Sequence, residues 1–201
     1  MSKQGNIFVI SAASGTGKTS LTAELLKINP NVRVAVSHTT RAPRAGEINR
    51  QHYYFVDDAT FEKMIGEGAF LEHAKVHNHY YGTSIMAVDS LRKAGHDVIL
   101  EIDVQGATQI RYLLPEAVSI FILPPSLEVL RERLSARGTE SAETLALRLS
   151  NARAEFEQAS LFDYLVVNDV LTEAVLNLNH IIAAAHFLQT NNSEALTRLL
   201  Q

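Results

Sequence analysis

The sequence predicts an α/β protein built on a parallel, buried sheet, and three observations carry that expectation. Short runs rich in Val, Ile and Leu, such as "NIFVI" and "VILEID", recur along the chain. Longer stretches in which apolar residues return at helical spacing separate them. The runs are near-continuous rather than strictly alternating, as in strands covered on both faces. With 201 residues, 46% of them hydrophobic and 20% charged, the chain is long enough to bury a real core. One domain with inserted subregions is expected.

Strands are placed at Ile7 to Ser11, Arg33 to Ser37, Asp97 to Asp103, Val118 to Leu123 and Tyr164 to Asn168. The first helix follows the first strand and turns Leu21, Leu25 and Leu26 to the core. Others run near Ser126 to Ala136, Ser141 to Ala159 and Thr172 to Gln189. Ser126, Ser141 and Thr172 suit N-caps, because a hydroxyl accepts from the free amides of a first helical turn. "PPS" at 124–126 breaks the chain before its helix. Residues 38–87 have a different texture: the loop "TTRAPRAGEINRQ", then polar, aromatic and histidine-bearing short strands around a helix near Asp58 to Glu67. That stretch reads as an insertion. "ARGTESAE", 136–143, reads as a mobile flap between two Arg-bearing helices. The end, "TNNSEALTRLLQ", reads as a turn and one short helix.

Composition excludes some partners. A net charge of −4 gives no general field for nucleic acid or an anionic membrane, so any anion site is local. Of the 18 basic residues, 12 are arginine, the planar fork that grips phosphate in two places. Without cysteine there is no disulfide, thiolate metal site or thiol nucleophile. "MSKQGN" lacks a signal-peptide core and no apolar run approaches the roughly 18 residues of a membrane span, which points to the cytoplasm. The oligomeric state stays open between monomer and homo-oligomer.

The chemistry begins at "SAASGTGKTS", 11–20. Gly15 and Gly17 leave the backbone free to curl around phosphate oxygens, Lys18 supplies a point charge for β- and γ-phosphates, and Thr19 offers a hydroxyl to Mg2+. The strand before and the helix after are the context such a loop needs. Its first glycine is replaced by Ala12. Alanine disfavours positive φ, so residue 12 is expected to end the strand in β conformation, leaving the tight curl to Gly15 and Gly17.

Two further stretches each admit two readings on their own. Side chains alternate along a strand, so Glu101 and Asp103 of "VILEID" are expected on one face, near the loop and its metal; strands also end in acids at the solvent boundary. Arg41 and Arg44 of "SHTTRAPRAGE", spaced by Pro43, suit a clamp on one phosphate or a solvated basic loop. His73, His77 and His79 invite a metal, but too few other ligands lie at compatible spacing, and they read as polar surface.

From Ser37 onward, "SHTTRAPRAGE", "HYYFV", "FLEHA", "YYGTS", "EIDVQG", "ILPPS", "RGTE" and "VNDVLTEAV" resemble the guanylate kinases nearly end to end. The resemblance implies an α/β fold with a P-loop core, parallel sheet flanked by helices (1–37, 88–125 and 156–201), a small mixed α/β GMP-binding insertion (38–87) and a helical lid (126–155). It implies the reaction ATP + GMP (or dGMP) giving ADP + GDP with Mg2+, in purine nucleotide metabolism. By the same resemblance Arg41, Arg44, Tyr53 and Tyr81 meet the GMP phosphate, Ser37, Glu72 and Thr83 surround guanine, and Glu47 and Asp103 belong to the same site. ATP falls to Ala12, Ala13, Ser14, Gly15, Thr16, Gly17, Lys18 and Thr19, with Arg133, Arg137 and Asn168; the metal falls to Thr19, Glu101 and Asp103, partly through water. Lys18, Arg41, Arg137 and Arg148 are the implied catalytic groups, and Tyr54 and Tyr80 are left to packing.

The chemistry of the base agrees: guanine presents N1–H and a 2-amino group side by side, and one carboxylate accepts both, whereas adenine leaves it unpaired. Some members carry Ser where this chain has Thr83, Asp where it has Glu101, a second Asp where it has Val170, and Pro where it has Ala13. Guanylate-kinase-like scaffold modules lack an intact phosphate loop, and kinases of other mononucleotides lack a reason for Glu72 with Ser37.

Overall fold

The apolar runs become strands because their branched side chains fill both faces of a pleated sheet. The computed structural model describes residues 4–76, 78–136 and 142–201. Strand β1 (Ile7–Ala12) gives its first half to one compact unit, Met1–Val9 with Asn31–Ala117, and its second half to another, Ile10–Pro30 with Val118–Gln201.

In the first unit β2 (Val32–Val34) and β7 (Asp97–Glu101) run parallel, in the order β2-β7-β1. Phe8, Val32, Val98, Ile99 and Leu100 are buried there. Asp97 is buried too, and accepts from the Asn6 backbone N–H at 2.9 Å. A second sheet of four strands follows the order β4-β3-β6-β5: β3 (His38–Thr39), β4 (Tyr54–Phe55), β5 (Phe70–Val76) and β6 (His79–Ser84). Helix α2 (Asp58–Gly66) is capped by Asp57, and its Phe61 stacks on Phe70 and Tyr80 at 4.4 and 5.2 Å between ring centroids. Helices α3 (Ile85–Lys93) and α4 (Val104–Leu113), capped by Ser84 and Asp103, complete the unit.

In the second unit the order is β1-β8-β9, with β8 (Val118–Leu123) parallel to β9 (Tyr164–Val167). The Asp163 carboxylate accepts from Ser119 N and Oγ at 2.8 and 2.7 Å and fixes the entry into β9. Helix α1 (Lys18–Ile28) packs on α7 (Leu171–Ala185), joined by Asn29 Nδ2 donating to Asn179 Oδ1 at 2.8 Å. Helices α5 (Leu127–Ser135) and α6 (Ala142–Glu157) share a core of Ala13, Leu130, Leu134 and Ala152. Two 3-10 turns, Gln158–Leu161 and Gln189–Asn192, and α8 (Ser193–Leu200) complete it.

Several expectations need correction. The 33–37 strand is shorter, ending at Val34. The strand placed at 97–103 stops at Glu101, because Asp103 turns into the N-cap of α4 and accepts from Gly106 N at 2.9 Å. Leu26 is 36% exposed, and Thr22 joins Leu21 and Leu25 on the buried face of α1. Helix α7 starts at Leu171 behind Val170, so Thr172 is not its cap. Ser126 does cap α5, accepting from Val129 N at 3.2 Å; Ser141 and most of the 136–143 flap lie outside the described residues.

Candidate active site

Each unit holds one set of site residues. In the second, the chain leaves β1 at Ala12 and curls through Gly15 and Gly17, with φ of 90° and 91°. Among described non-glycine residues only Arg50 and Asn78 have positive φ, so Ala12 keeps the β conformation expected of it. Thr16 is fully buried and donates Oγ1 to the Ala13 carbonyl at 2.8 Å. The Thr16 carbonyl accepts from Asn168 Nδ2 at 2.7 Å and from Arg133 Nη1 at 3.3 Å. In a trans peptide the next N–H points the opposite way, so these bonds turn the Gly17 N–H away from Asn168. No side chain caps α1 at Gly17, which leaves first-turn amides to an anion. Lys18 is half-buried and Thr19 exposed at the head of that helix.

Leu130 and Leu134 support the loop closely: a Cβ on Gly15 would fall 2.8 Å from Leu134 Cδ2. Arg133, expected on ATP, directs its fork to backbone, with Nη2 donating to the Asn168 carbonyl at 3.1 Å. Asn168, expected on ATP, is buried against the loop. Arg148 is half-buried on α6, and Arg137 lies outside the described residues.

In the first unit Ser37 and Thr83 are buried with their hydroxyl oxygens 3.1 Å apart. Glu72 is 3% exposed and lies directly across the sheet from Thr83. The β5–β6 register shifts between Phe70 and Glu72, an irregularity that re-aims a side chain next to it. One carboxylate and two hydroxyls, all shielded from water, form an acceptor-rich patch suited to a ligand with adjacent N–H donors.

Arg41 lies 5.5 Å from the centroid of Tyr53 and 5.8 Å from that of Phe55, and Tyr53 meets Tyr81 edge-on at 6.1 Å. Its guanidinium grips Glu47 in two places, Nη2 to Oε1 at 2.8 Å and Nη1 to Oε2 at 2.9 Å. The Arg44 backbone N–H also donates to Glu47, at 2.6 Å, while the Arg44 residue is exposed. These bonds, the Arg41 fork foremost, hold the Glu47 carboxyl down at about 2, and Glu47 in turn raises Arg41. Burial, then the charge of Glu101, pushes Tyr53 up, so its phenol stays protonated at neutral pH. Tyr54 stacks on His38 at 4.6 Å and Tyr80 on Phe61, as packing residues do.

A folded-state value below the ordinary 4.5 means that the Glu47 pair stabilises the fold above that pH and loses its contribution as pH falls through about 2. A carboxyl NMR titration of Glu47 is therefore expected to have its midpoint near 2; a midpoint near 4.5 would show that the pair does not form in solution.

Strand alternation does not relate Glu101 to Asp103, since the strand ends between them. Both Asp103 oxygens are engaged, Oδ1 by Gly106 N and Oδ2 by Gln105 Nε2 at 3.0 Å. Among the described residues, Glu101 Oε1 is buried with no hydrogen-bond partner. An unpaired carboxylate oxygen is the donor a hard divalent cation takes, so the residues present fit Mg2+, with Glu101 the freer acid.

The family model described as "Guanylate kinase" matches residues 4–185. The chain belongs to the guanylate kinase family. The guanylate kinase of Neisseria meningitidis serogroup A is 55% identical over 199 residues, 99% of this chain and 97% of that one. That of Coxiella burnetii is 49% identical over 197 residues, 98% and 96% of the two chains. The crystal structure of guanylate kinase from Anaplasma phagocytophilum, 33% identical, superposes with a TM-score of 0.76 over 90% of this chain and 86% of that one.

Within this guanylate kinase family fold, the sequence did not disclose that Asn168 and Arg133 pin the phosphate loop from behind. Their bonds to Thr16 span 152 and 117 residues, and no local pattern encodes them.

Proposed function

We propose that the chain transfers the γ-phosphate of ATP to GMP, and to dGMP, with loop residues 12–19 holding ATP and region 38–87 holding the acceptor. Family membership establishes the class of reaction, an ATP-dependent phosphorylation of GMP by a nucleoside monophosphate kinase. The assignment of the acceptor base rests on one observation: a buried carboxylate, Glu72, lies directly across the sheet from Thr83, whose hydroxyl meets that of Ser37. Guanine offers that carboxylate two donors, N1–H and the 2-amino group, and adenine offers none at the same edge.

In this reading Arg41, Arg44, Tyr53 and Tyr81 hold the acceptor phosphate, with Glu47 holding the Arg41 fork in place until the phosphate takes it over. Lys18 and the loop amides carry the β- and γ-phosphate charge. Arg133 and Asn168 act on ATP by fixing the loop, and Arg137 and Arg148 act from a lid, 126–155, that shields the γ-phosphate from water. The core is then 1–37, 88–125 and 156–201. An oxygen of the GMP phosphate, already ionised at neutral pH, bonds to the γ-phosphorus as the bond to the β-phosphate oxygen breaks and ADP leaves; no protein base is required. Thr19, Glu101 and Asp103 are the residues we assign to Mg2+, partly through water; when bound it would supply neutralisation of phosphate charge. No helix among the described residues is long and apolar enough to cross a membrane. We place the reaction in the cytoplasm, in purine nucleotide metabolism.

An ADP-release assay with ATP, Mg2+ and each of GMP, dGMP, AMP, CMP and UMP tests this. Turnover with GMP and dGMP alone is expected. Equal turnover with AMP would refute the base assignment, and folded protein inactive with every acceptor would point to a binding module.

A further inference from the structure

Glu72 stands on β5, an edge strand of its sheet. An edge strand is held by neighbours on one side only, so its position is weakly fixed unless something covers the other side. Helix α4 does so. Gln109 donates Nε2 to the His73 carbonyl at 2.7 Å and accepts from the His73 N–H at 3.2 Å, a side-chain amide standing in for the missing strand. The pinned residue is the one next to Glu72.

One helical turn before Gln109, Gly106 faces the Glu72 carboxylate. A Cβ at Gly106 would collide with Glu72 Oε2 and fall 3.2 Å from its Cδ. Gly106 lies inside α4, is buried, and is not among the residues with positive φ, so its backbone does not call for glycine. Glycine weakens a helix relative to alanine. What glycine supplies here is room for that carboxylate.

We infer that α4 is the positioning element of the acceptor-base site: Gly106 seats the Glu72 carboxylate and Gln109 fixes the strand that carries it. The inference rests on Glu72 as the group that reads guanine. The atom nearest a methyl is the far end of a flexible side chain, and Ile102 Cβ, 3.3 Å away, has to give by only a few tenths of an ångström, so Gly106→Ala chiefly shifts the carboxylate.

The experiment compares Gly106→Ala and Gln109→Met with Glu72→Gln and with Gly66→Ala, a change in α2 where a Cβ meets nothing within 4 Å. Steady-state KM for GMP and for ATP and the unfolding midpoint are measured for each. Gly106→Ala is expected to raise KM for GMP about tenfold or more, leave KM for ATP within about twofold, and not lower the midpoint. Gln109→Met is expected to give the same split between substrates, and decides alone if Gly106→Ala does not fold. Gly66→Ala is expected to change neither KM. Unchanged KM for GMP in the α4 variants, with Glu72→Gln impaired, overturns the positioning role and leaves the base assignment standing; if Glu72→Gln is unimpaired as well, both fall. A parallel rise in both KM values would mark a merely structural effect and also overturn the proposal.

Discussion

Glu72→Gln is expected to lower kcat/KM for GMP by about two to three orders of magnitude, with KM for ATP unchanged. The side chain is 3% exposed, so water does not replace a lost acceptor. The amide keeps the shape but turns one acceptor into a donor that meets a guanine N–H head-on. Leaving a buried donor unsatisfied costs about 1–3 kcal/mol, and more where a charged partner is lost. At about 1.4 kcal/mol per decade this accounts for most of the fall. The same amide N–H suits the adenine N1 lone pair, so the GMP-over-AMP ratio is expected to drop further than GMP turnover alone. Acceptor-dependent ADP release checks this; an unchanged GMP preference would remove Glu72 from the base site.

Gly17→Ala is expected to disable the phosphate loop. Two costs add. At φ of 91° an alanine stands in the left-handed region, at about 1–2 kcal/mol. Its Cβ would also fall 2.6 Å from Asn168 Nδ2 and displace the amide that holds the Thr16 carbonyl at 2.7 Å, which costs about 1–3 kcal/mol. Together, about 2–5 kcal/mol depopulates the working loop roughly 30- to 4,000-fold. Gly46→Ala provides the comparison, because φ is 86° there but a Cβ meets nothing within 4 Å. Only the first cost then applies. ATP affinity by calorimetry is expected to fall in Gly17→Ala and hold in Gly46→Ala, while the unfolding free energy falls further in Gly17→Ala; equal falls in unfolding free energy would show that the Asn168 contact carries no weight.

These two sites show what a sequence discloses. The phosphate loop was legible because its spacing is local: strand, curl and helix lie within about twenty consecutive residues, and Ala12 behaves as its chirality requires. The β8 strand, a six-residue run apolar but for Ser119, matches its expected ends. The end of β7 was not legible, because "EID" reads equally as strand or as strand followed by a capping aspartate, and Gly106 N decides between them only once α4 forms. Helix α7 begins behind Val170, because the helix is set by Ala174, Val175 and Leu178 packing inward and not by a hydroxyl at its entrance. In the acceptor loop the sequence suggested two arginine forks acting alike. The structure separates them, Arg41 paired and ring-covered, Arg44 exposed, through a contact six residues along that no periodicity announces.

That Arg41–Glu47 contact sets an entrance condition on the anion. Glu47 is a tethered monoanion already seated on the fork, so an incoming group has to displace or outbid it. A dianionic phosphate competes on better terms than chloride, a carboxylate or a singly ionised phosphate. Since the second ionisation of a phosphate monoester falls at about 6, acceptor affinity is expected to weaken below that pH while Glu47, at about 2, keeps its charge. Under the proposed function the loop thus sorts ligands by valence and Glu72 sorts them by hydrogen bonds.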